Sequence, residues 1–387
     1  MPGLIPPHGG RLNERLVQGA EREALLHQAQ RLPAITLRES EASDLELLAI
    51  GALSPLTGFL RQADYDAVVE RMRLADETLW PVPIVLSLDD AQADQIREGM
   101  DLALRDPDGR ILGVLQEPEL YPYNKGVEAK LVFGAIDRDH PGVDRIFSQG
   151  PFHLGGAVQV LNLPERSDFL SYRMTPRRTR QEFERRGWEW VAGFQAAGPI
   201  HRAHEYLLRC ALEVVDGLLI QPLLGVAADW EFPDAVLVRS CEVLAERYLP
   251  SDRVVIGIPP AGSRRGAFAR EELFQAILRQ NYGCSHAITG RDSGGLGRLP
   301  GVTDPPTAFR RISRAQLGIT PLAFDNAFYC VGCGGMATAK TCPHPATERR
   351  LLSATALREM LAQGQLPPPE LTRPEIADLL KQVPAAG

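Results

Sequence analysis

Lysine is scarce in this chain: only four of its 42 basic residues are lysines, the rest being arginine. That bias is as compatible with genome composition as with any physical demand, so it carries no functional argument. A run of about 18 apolar residues is missing, which excludes a membrane-spanning helix. The opening residues, MPGLIPPHGG, lack a basic segment followed by an apolar one, so no secretory signal is expected. Positive charge is not in excess: 42 basic against 49 acidic residues leave a net charge of −7. A global basic field for nucleic acid or an anionic membrane is therefore absent. Cysteine is too thin, at six residues, for a disulfide scaffold of this length. A reducing, cytoplasmic setting is expected. The P-loop pattern GxxxxGK[ST] is missing as well. There is no internal repeat, and the 31 prolines and 35 glycines are scattered, which excludes collagen-like or low-complexity chain.

What is present is a soluble, enzyme-like composition, 44% apolar and 24% charged over 387 residues, enough for two or three domains. Residues 1–165 read as a β-rich domain with a helical preface. Helices are expected over about Arg11–Arg31 and Gln62–Arg71, and strands over Val82–Leu88, Asp101–Leu104, Ile111–Leu115 and Ala129–Phe133. After a linker, Thr175-Pro176 reads as the cap and first residue of a helix running to about Arg186. From Trp190 strands and helices alternate. Strands fall at Trp190–Gln195, Leu218–Leu224, Arg253–Ile258 and His286–Thr289. Helices fall at His201–Val215, Asp234–Tyr248 and Arg270–Gln280. That alternation is the mark of a parallel sheet with crossover helices, over residues 166–325. On the first of these helices Tyr206, Leu207, Cys210, Ala211 and Val214 share one apolar face. Residues 326–387 form a small α-rich unit. The arginines at 177, 178, 180, 185 and 186 read as a solvated helix face rather than a nucleic-acid surface.

The stretch Gln195-Ala196-Ala197-Gly198-Pro199-Ile200-His201-Arg202-Ala203-His204-Glu205 joins a strand to a helix, where open parallel sheets bind ligands. His201 and His204 are three apart and share a helical face. In the first turn they sit beside free backbone N–H groups and the positive dipole end. Two imidazoles there can bond phosphate oxygens and stabilise charge as a phosphoryl bond breaks. Near the other end, Cys330-x2-Cys333-x8-Cys342-x-His344 has the spacing of a tetrahedral zinc site, with Gly332, Gly334 and Gly335 permitting a knuckle turn. With no open position it would be structural. Cys210, Cys241 and Cys284 read as small buried hydrophobes.

The string PIHRAHEYL at 199–207 resembles the nucleotide-binding signature of the ATP sulfurylase (sulfate adenylyltransferase) family. PPHGGRL at 6–12, GALSPLTGFL at 51–60, MRLADETLWPVPI at 72–84 and HPGV at 140–143 resemble its N-terminal domain. RMTPRRTRQEFERRGW at 173–188 resembles the start of its catalytic domain. NYGCSHAITGRD at 281–292, KTCPH at 340–344 and residues 351–376 resemble its later segments. The resemblance implies a Rossmann-like α/β nucleotidyltransferase domain, an N-terminal PUA-like barrel domain and a small C-terminal domain. It implies ATP, brought with Mg2+, and sulfate as substrates, and adenosine 5′-phosphosulfate and pyrophosphate as products. It also implies His201 and His204 on the ATP phosphates, Gln195 and Arg291 on the anionic substrates, and a homodimer. Some bacterial members carry structural zinc in the region of the cysteine cluster. The kinase domain fused to some members is not expected, since its P-loop is missing.

The departures cluster at the anion site. The family's Gln-Thr-Arg-Asn-Pro reads Gln195-Ala196-Ala197-Gly198-Pro199 here, so the arginine that would meet sulfate is Ala197 and the asparagine is Gly198. Loss of one oxyanion donor is worth roughly 2.7–4 kcal/mol. The family's Ala-Gly-Pro-Arg-Glu-Ala reads Ala261-Gly262-Ser263-Arg264-Arg265-Gly266-Ala267 here, with extra residues. Three readings stay open: Arg264 or Arg265 supplies the missing charge, the acceptor is a different anion, or the chain binds without turnover.

Overall fold

The computed structural model describes residues 3–97, 99–225, 232–260, 269–289, 309, 312–351 and 354–381. The first sheet comprises β1 (Ala34–Thr36), β2 (Gly58–Phe59), β3 (Leu86–Leu88), β4 (Leu102–Arg105), β5 (Ile111–Pro122) and β6 (Phe152–Val160). Its order is β1-β4-β5-β6-β2, with β3 also on β6. Only the β1–β4 pair is parallel. The β4–β5 hairpin closes through Gly109, whose φ of +83° suits glycine. Around this sheet lie α1 (Gly19–Ala29), α2 (Glu39–Ala49), α3 (Gln62–Arg71), α4 (Asp90–Ala93), α5 (Lys125–Glu128) and α6 (Pro141–Ser148). The α6 start is capped by His140, whose Nδ1 accepts the Gly142 and Val143 N–H groups, with Pro141 at the first position.

Ala129–Phe133, expected as a strand, is a π-helical turn continuing α5. Its buried residues are Ala129, Val132 and Phe133, a helical spacing that a run this short disguises as an apolar strand. Asn124 opens the segment by accepting the Val127 N–H, and Gly134 at φ +67° ends it. The first helix is also shorter than Arg11–Arg31, starting at Gly19.

The second sheet is wholly parallel, with order β11-β10-β7-β8-β9. Its strands are β7 (Val191–Ala196), β8 (Gly217–Pro222), β9 (Val254–Ile256), β10 (His286–Thr289) and β11 (Thr320–Ala323). Crossovers are supplied by α8 (Arg202–Leu212), α9 (Asp234–Arg247) and α10 (Ala269–Asn281), after a preceding α7 (Pro176–Arg185). Thr175 Oγ1 caps α7 by accepting the Arg178 N–H, and Pro176 takes the first position. The chain builds outward from β7 to β9, then returns to place β10 on the other side of β7. The carboxyl ends of β7 and β10 therefore form the topological switch point.

The two faces of this sheet join different cores. Ala192, Phe194, Ala196 and Ile288 pack with α8 and α9. Val191, Leu219 and Ala287 pack toward α10, in a core continuous with that of the first sheet through Leu273, Phe274, Ile277 and Trp80. Asn281, fully buried at the end of α10, fastens this seam. Its Nδ2 donates to Ala52 O and Ser54 O, each at 2.9 Å, and its Oδ1 accepts the His8 N–H at 2.9 Å. A third, antiparallel sheet of order β13-β12-β14 follows, from β12 (Phe328–Cys330), β13 (Gly335–Ala337) and β14 (Arg349–Arg350). Helices Ala354–Ala362 and Pro374–Leu380 come last.

Replacing Asn281 by alanine strips three buried backbone groups of their partner. At about 1–3 kcal/mol per orphaned group, the expected loss is about 3 kcal/mol in urea unfolding. Asn281→Asp should lose most of that too, because a carboxylate cannot donate to the two carbonyls.

Candidate active site and metal knuckle

β7 ends at Ala196, whose carbonyl accepts the Leu223 N–H at 2.9 Å. The chain then turns through Ala197-Gly198-Pro199 into α8. Its far side is anchored by Ile200 N–H to Ser240 Oγ at 3.1 Å, and Ser240 in turn donates to Leu237 O within α9. His201 stands at the N-cap of α8 and His204 in its first turn. Their rings stack with centroids 3.8 Å apart and planes 25° from parallel. His204 Nδ1 lies 3.4 Å from the His201 N–H that it accepts, which leaves the His204 proton on Nε2. Both rings keep part of their surface in solvent, yet their recess is strongly desolvating. Burial pushes His201 down to about 4 and His204 well below its usual value, the latter also opposed by charge on His201. At neutral pH the pair is therefore uncharged and offers N–H donors at the positive end of α8.

The first turn of α8 is gripped by the C-terminal segment. The Arg202 N–H donates to Leu371 O at 2.9 Å, and Arg202 Nη1 to Pro369 O at 3.2 Å. Glu205, the residue after His204, is buried and paired in bidentate fashion with Arg373. The Nε–Oε2 distance is 2.8 Å and the Nη2–Oε1 distance 2.6 Å. Arg209 adds a third bond at 3.0 Å. Burial works against the Glu205 charge, but Arg373 and then Arg209 outweigh it and hold the carboxyl below its usual range. The Arg373 guanidinium also lies 4.1 Å from the Tyr248 ring centroid. The buried residues of α8 are thus Glu205, Leu208 and Ala211; of the apolar face expected from the sequence Ala211 is buried, Tyr206, Leu207 and Cys210 are half-buried, and Val214 is exposed.

On the opposite face of β7, Gln195 turns its carboxamide inward toward α10. Its Nε2 donates to Gln275 Oε1 at 2.8 Å, and its Oε1 lies 3.4 Å from Arg279 Nη2. Gln275 Nε2 donates onward to Glu271 Oε1 at 2.7 Å. All four side chains are more than nine-tenths buried. Burial pulls Arg279 down from the usual arginine range, opposed by Glu272, Cys284 and Glu271. Gly193 makes room for this arginine: a Cβ there would meet Arg279 Cδ at 2.7 Å.

Ala197 and Gly198 lie half-buried in the loop and bring no polar side chain. Arg291, Arg264 and Arg265, expected at this site, lie outside the described residues. β10 nevertheless ends at Thr289, two residues before Arg291 and beside β7. The arginines in and just after α7 lie mostly at the surface, in ion pairs or bonds within the chain. Arg177 pairs with Glu14, Arg185 and Arg186 pair with Glu182, and Arg180 donates to the carbonyls of Ile5, Gln280 and Asn281. An open hollow of about 530 Å3 between α7 and the edge strand β9 is lined by Arg178, Glu182, Arg185 and Tyr172 and contains no residue of the histidine loop.

The cysteine cluster is assembled as its spacing requires. The ligand atoms of Cys330, Cys333, Cys342 and His344 all lie within 4.8 Å of one another. Cys333 Sγ is 3.7 Å from Cys342 Sγ. His344 Nδ1 is 3.4, 3.2 and 3.7 Å from the sulfurs of Cys330, Cys333 and Cys342. A tetrahedron with metal–sulfur bonds of about 2.3 Å and metal–nitrogen bonds of about 2.0–2.1 Å has edges of about 3.75 Å and 3.55 Å. The donor set therefore fits one metal ion. Burial opposes ionisation of Cys330, but bonds from the Cys333 N–H, the Cys342 and Cys333 thiols and the Gly332 N–H bring it down to about 7. The knuckle strand β13 lies against α8, the histidine helix.

Sequence spacing did not point to Glu205–Arg373 or to Gln275 and Arg279, whose partners are 168 and 84 or fewer residues away. The nearest local signal was a glutamate directly after the histidine motif.

A parallel sheet with a histidine-bearing loop at its switch point defines a nucleotide-binding α/β enzyme. Residues 170–383 match the ATP-sulfurylase family, and residues 5–163 match the PUA-like domain family. A sulfate adenylyltransferase of Symbiobacterium thermophilum is 49% identical over 382 residues, 99% of this chain and 97% of that one. That of Halothermothrix orenii is 43% identical over 380 residues, covering 98% and 99%. Among solved structures, one described as a hexameric APS kinase from Thiobacillus denitrificans superposes with a TM-score of 0.79 at 30% identity. It covers 99% of this chain and 69% of its own. The chain belongs to the ATP-sulfurylase family. Among the described residues no helix is long and apolar enough to cross a membrane.

The Glu205–Arg373 clamp predicts a pH-dependent loss. Arg373→Met leaves a buried carboxylate with Arg209 alone, at an expected cost of about 2–3 kcal/mol, less than the 3–5 typical when a buried pair loses one member outright. Because the folded Glu205 carboxyl is depressed, this stabilisation is complete above its unfolded pKa of about 4.3 and fades as pH falls through the lower folded value. Melting curves of the two proteins should diverge at pH 7, begin to approach one another below the unfolded value, and converge only below the depressed folded value.

Proposed function

We propose that the chain works as a sulfate adenylyltransferase whose phosphates lie over the His201–His204 loop. The stacked pair at the switch point, on the positive end of α8, is the observation that carries this reading. ATP enters as its magnesium complex. A sulfate oxygen attacks the α-phosphorus, the bond from that phosphorus to the bridging oxygen breaks, and pyrophosphate leaves with the charge. Neutral His201 and His204 donate N–H bonds to the phosphate oxygens as that charge develops. Gly198 lets the loop backbone approach the anions closely. Gln195 serves the acceptor. Arg291, which follows β10 in the chain, and Arg264 or Arg265, which precede α10, supply the cationic charge that Ala197 does not.

Cys330, Cys333, Cys342 and His344 hold zinc. Four protein ligands close the coordination sphere, so the ion staples the small unit rather than reacting. Residues 1–165, 166–325 and 326–387 act as the N-terminal, catalytic and zinc-bearing domains of a cytoplasmic homodimer.

Two experiments test this. Pyrophosphate release from MgATP should depend on sulfate, and His201→Ala should cut kcat/KM for ATP by about 100-fold, the scale of one lost oxyanion donor. Release driven by another anion and not by sulfate would reassign the acceptor. Unchanged ATP kinetics in the variant would move the phosphates elsewhere. Metal analysis of protein purified without chelator should give about one zinc per chain, and Cys342→Ser should lower both zinc content and melting temperature.

A further inference from the structure

Gln195, Gln275, Glu271 and Arg279 share one property beyond proximity: their hydrogen bonds can run only one way. A guanidinium has five N–H donors and no acceptor, and a carboxylate only accepts. Arg279 Nη2 faces Gln195 Oε1, so the carbonyl end of that amide must point to the arginine. Glu271 Oε1 accepts from Gln275 Nε2, so the carbonyl of Gln275 is left for Gln195 Nε2. Neither amide can turn over without setting donor against donor at Arg279 and acceptor against acceptor at Glu271. Such a mismatch is costly where all four groups are buried.

The carboxamide nitrogen of Gln195 carries two N–H groups. One is taken by Gln275; the other has no described partner. A second polar group stands ready nearby. Thr289 ends β10 with its hydroxyl buried and without a hydrogen-bond partner among the described residues. β10 pairs with β7 at Ala287 opposite Gly193, so Thr289, two residues on, comes level with Gln195 on the same face. Two unspent donors thus stand level at the carboxyl ends of the two strands flanking the switch point.

We propose that Arg279, Gln275 and Glu271 form a directional hydrogen-bond relay that fixes the Gln195 carboxamide with its free N–H toward the anionic acceptor. This deepens the sulfate reading above and rests on it. The three are positioning residues: none touches substrate, and each acts through the amide of Gln195. If the amide were released it could present its carbonyl oxygen to a dianion, replacing an attraction by a repulsion. Gly193 belongs to the same device, because a side chain there would displace the stem of Arg279.

The test compares wild type with Glu271→Gln, Arg279→Met and Arg279→Lys by sulfate-dependent pyrophosphate release, with KM measured separately for sulfate and for ATP. Glu271→Gln keeps the shape of the side chain and removes the acceptor-only terminus, so it tests direction without opening a cavity. It should raise the KM for sulfate about tenfold, the value of one hydrogen bond to a charged group, and leave that for ATP within twofold. Arg279→Met should do the same or more, and Arg279→Lys, which still only donates, should recover part of the loss. An unchanged sulfate KM in both Glu271→Gln and Arg279→Met, or an equal rise for sulfate and ATP, overturns the relay while leaving the sulfate reading intact. Wild-type protein that releases no pyrophosphate with sulfate overturns both.

Discussion

Helix α10 is clamped from both sides, and the placement of the Gln195 carboxamide at the end of β7 depends on that clamp. Toward the first sheet, Arg270 at its start donates to the carbonyls of Val68, Val69 and Pro81, and Asn281 at its end holds Ala52, Ser54 and His8. Between them Phe274 meets Trp80 edge-on, with centroids 6.0 Å apart. Arg180 of α7 reaches the last carbonyls of the helix from a third direction. Toward the parallel sheet, Gln275 and Arg279 meet Gln195 at the end of β7. A helix fastened at both ends cannot slide or roll without breaking bonds to buried carbonyls, each costly to orphan. The N-terminal body therefore holds the helix that carries Gln275 and Arg279.

The histidine loop is treated in a parallel way from the other face of the sheet. Ser240 of α9 fixes its middle, and Leu371 and Arg373 fix the first turn of α8. The metal knuckle lies against the same helix through β13. The chain thus returns after the parallel sheet is complete and braces the element that its first crossover created. Such bracing needs long-range contacts, because a loop built on glycine and proline has few side chains with which to hold itself.

The periodic parts of the fold were legible in the sequence, because buried strands and capped helices write their pattern locally. Thr175-Pro176 marks the start of α7, and His286–Thr289 reads as a strand and is one. The clustering of Cys330, Cys333, Cys342 and His344 was equally legible, since thiol and imidazole spacing is a local property. Where partners lie far apart in sequence, local pattern fails. The apolar positions of α8 suggested a face around Tyr206 and Cys210. The helix instead buries Glu205, because Arg373, 168 residues away, neutralises it. Trp190, a core or boundary aromatic by its sequence, is 59% exposed. The basic run on α7 reads as solvated, and Arg177, Arg178 and Arg185 are exposed, but the half-buried Arg180 donates to three carbonyls. Ala129–Phe133 failed for a different reason: five residues hold too little of either period to separate a strand from a helical turn.

The substitution of Ala197 for the expected arginine takes on a particular meaning in this setting. Among the described residues the ends of β7 and β10 and the start of α8 present neutral groups: imidazoles held uncharged by burial, a carboxamide and a hydroxyl. A point charge attracts an anion from any direction, and its energy falls slowly with misplacement. A neutral donor attracts only along its N–H or O–H axis and weakens steeply as the angle closes. A site that relies more on neutral donors must therefore hold them more rigidly. The buried Arg279 fits that demand: one step behind the Gln195 amide, it fixes which way the carboxamide points. Rigidity at α10 and at the first turn of α8 holds the amide and the imidazoles in one orientation.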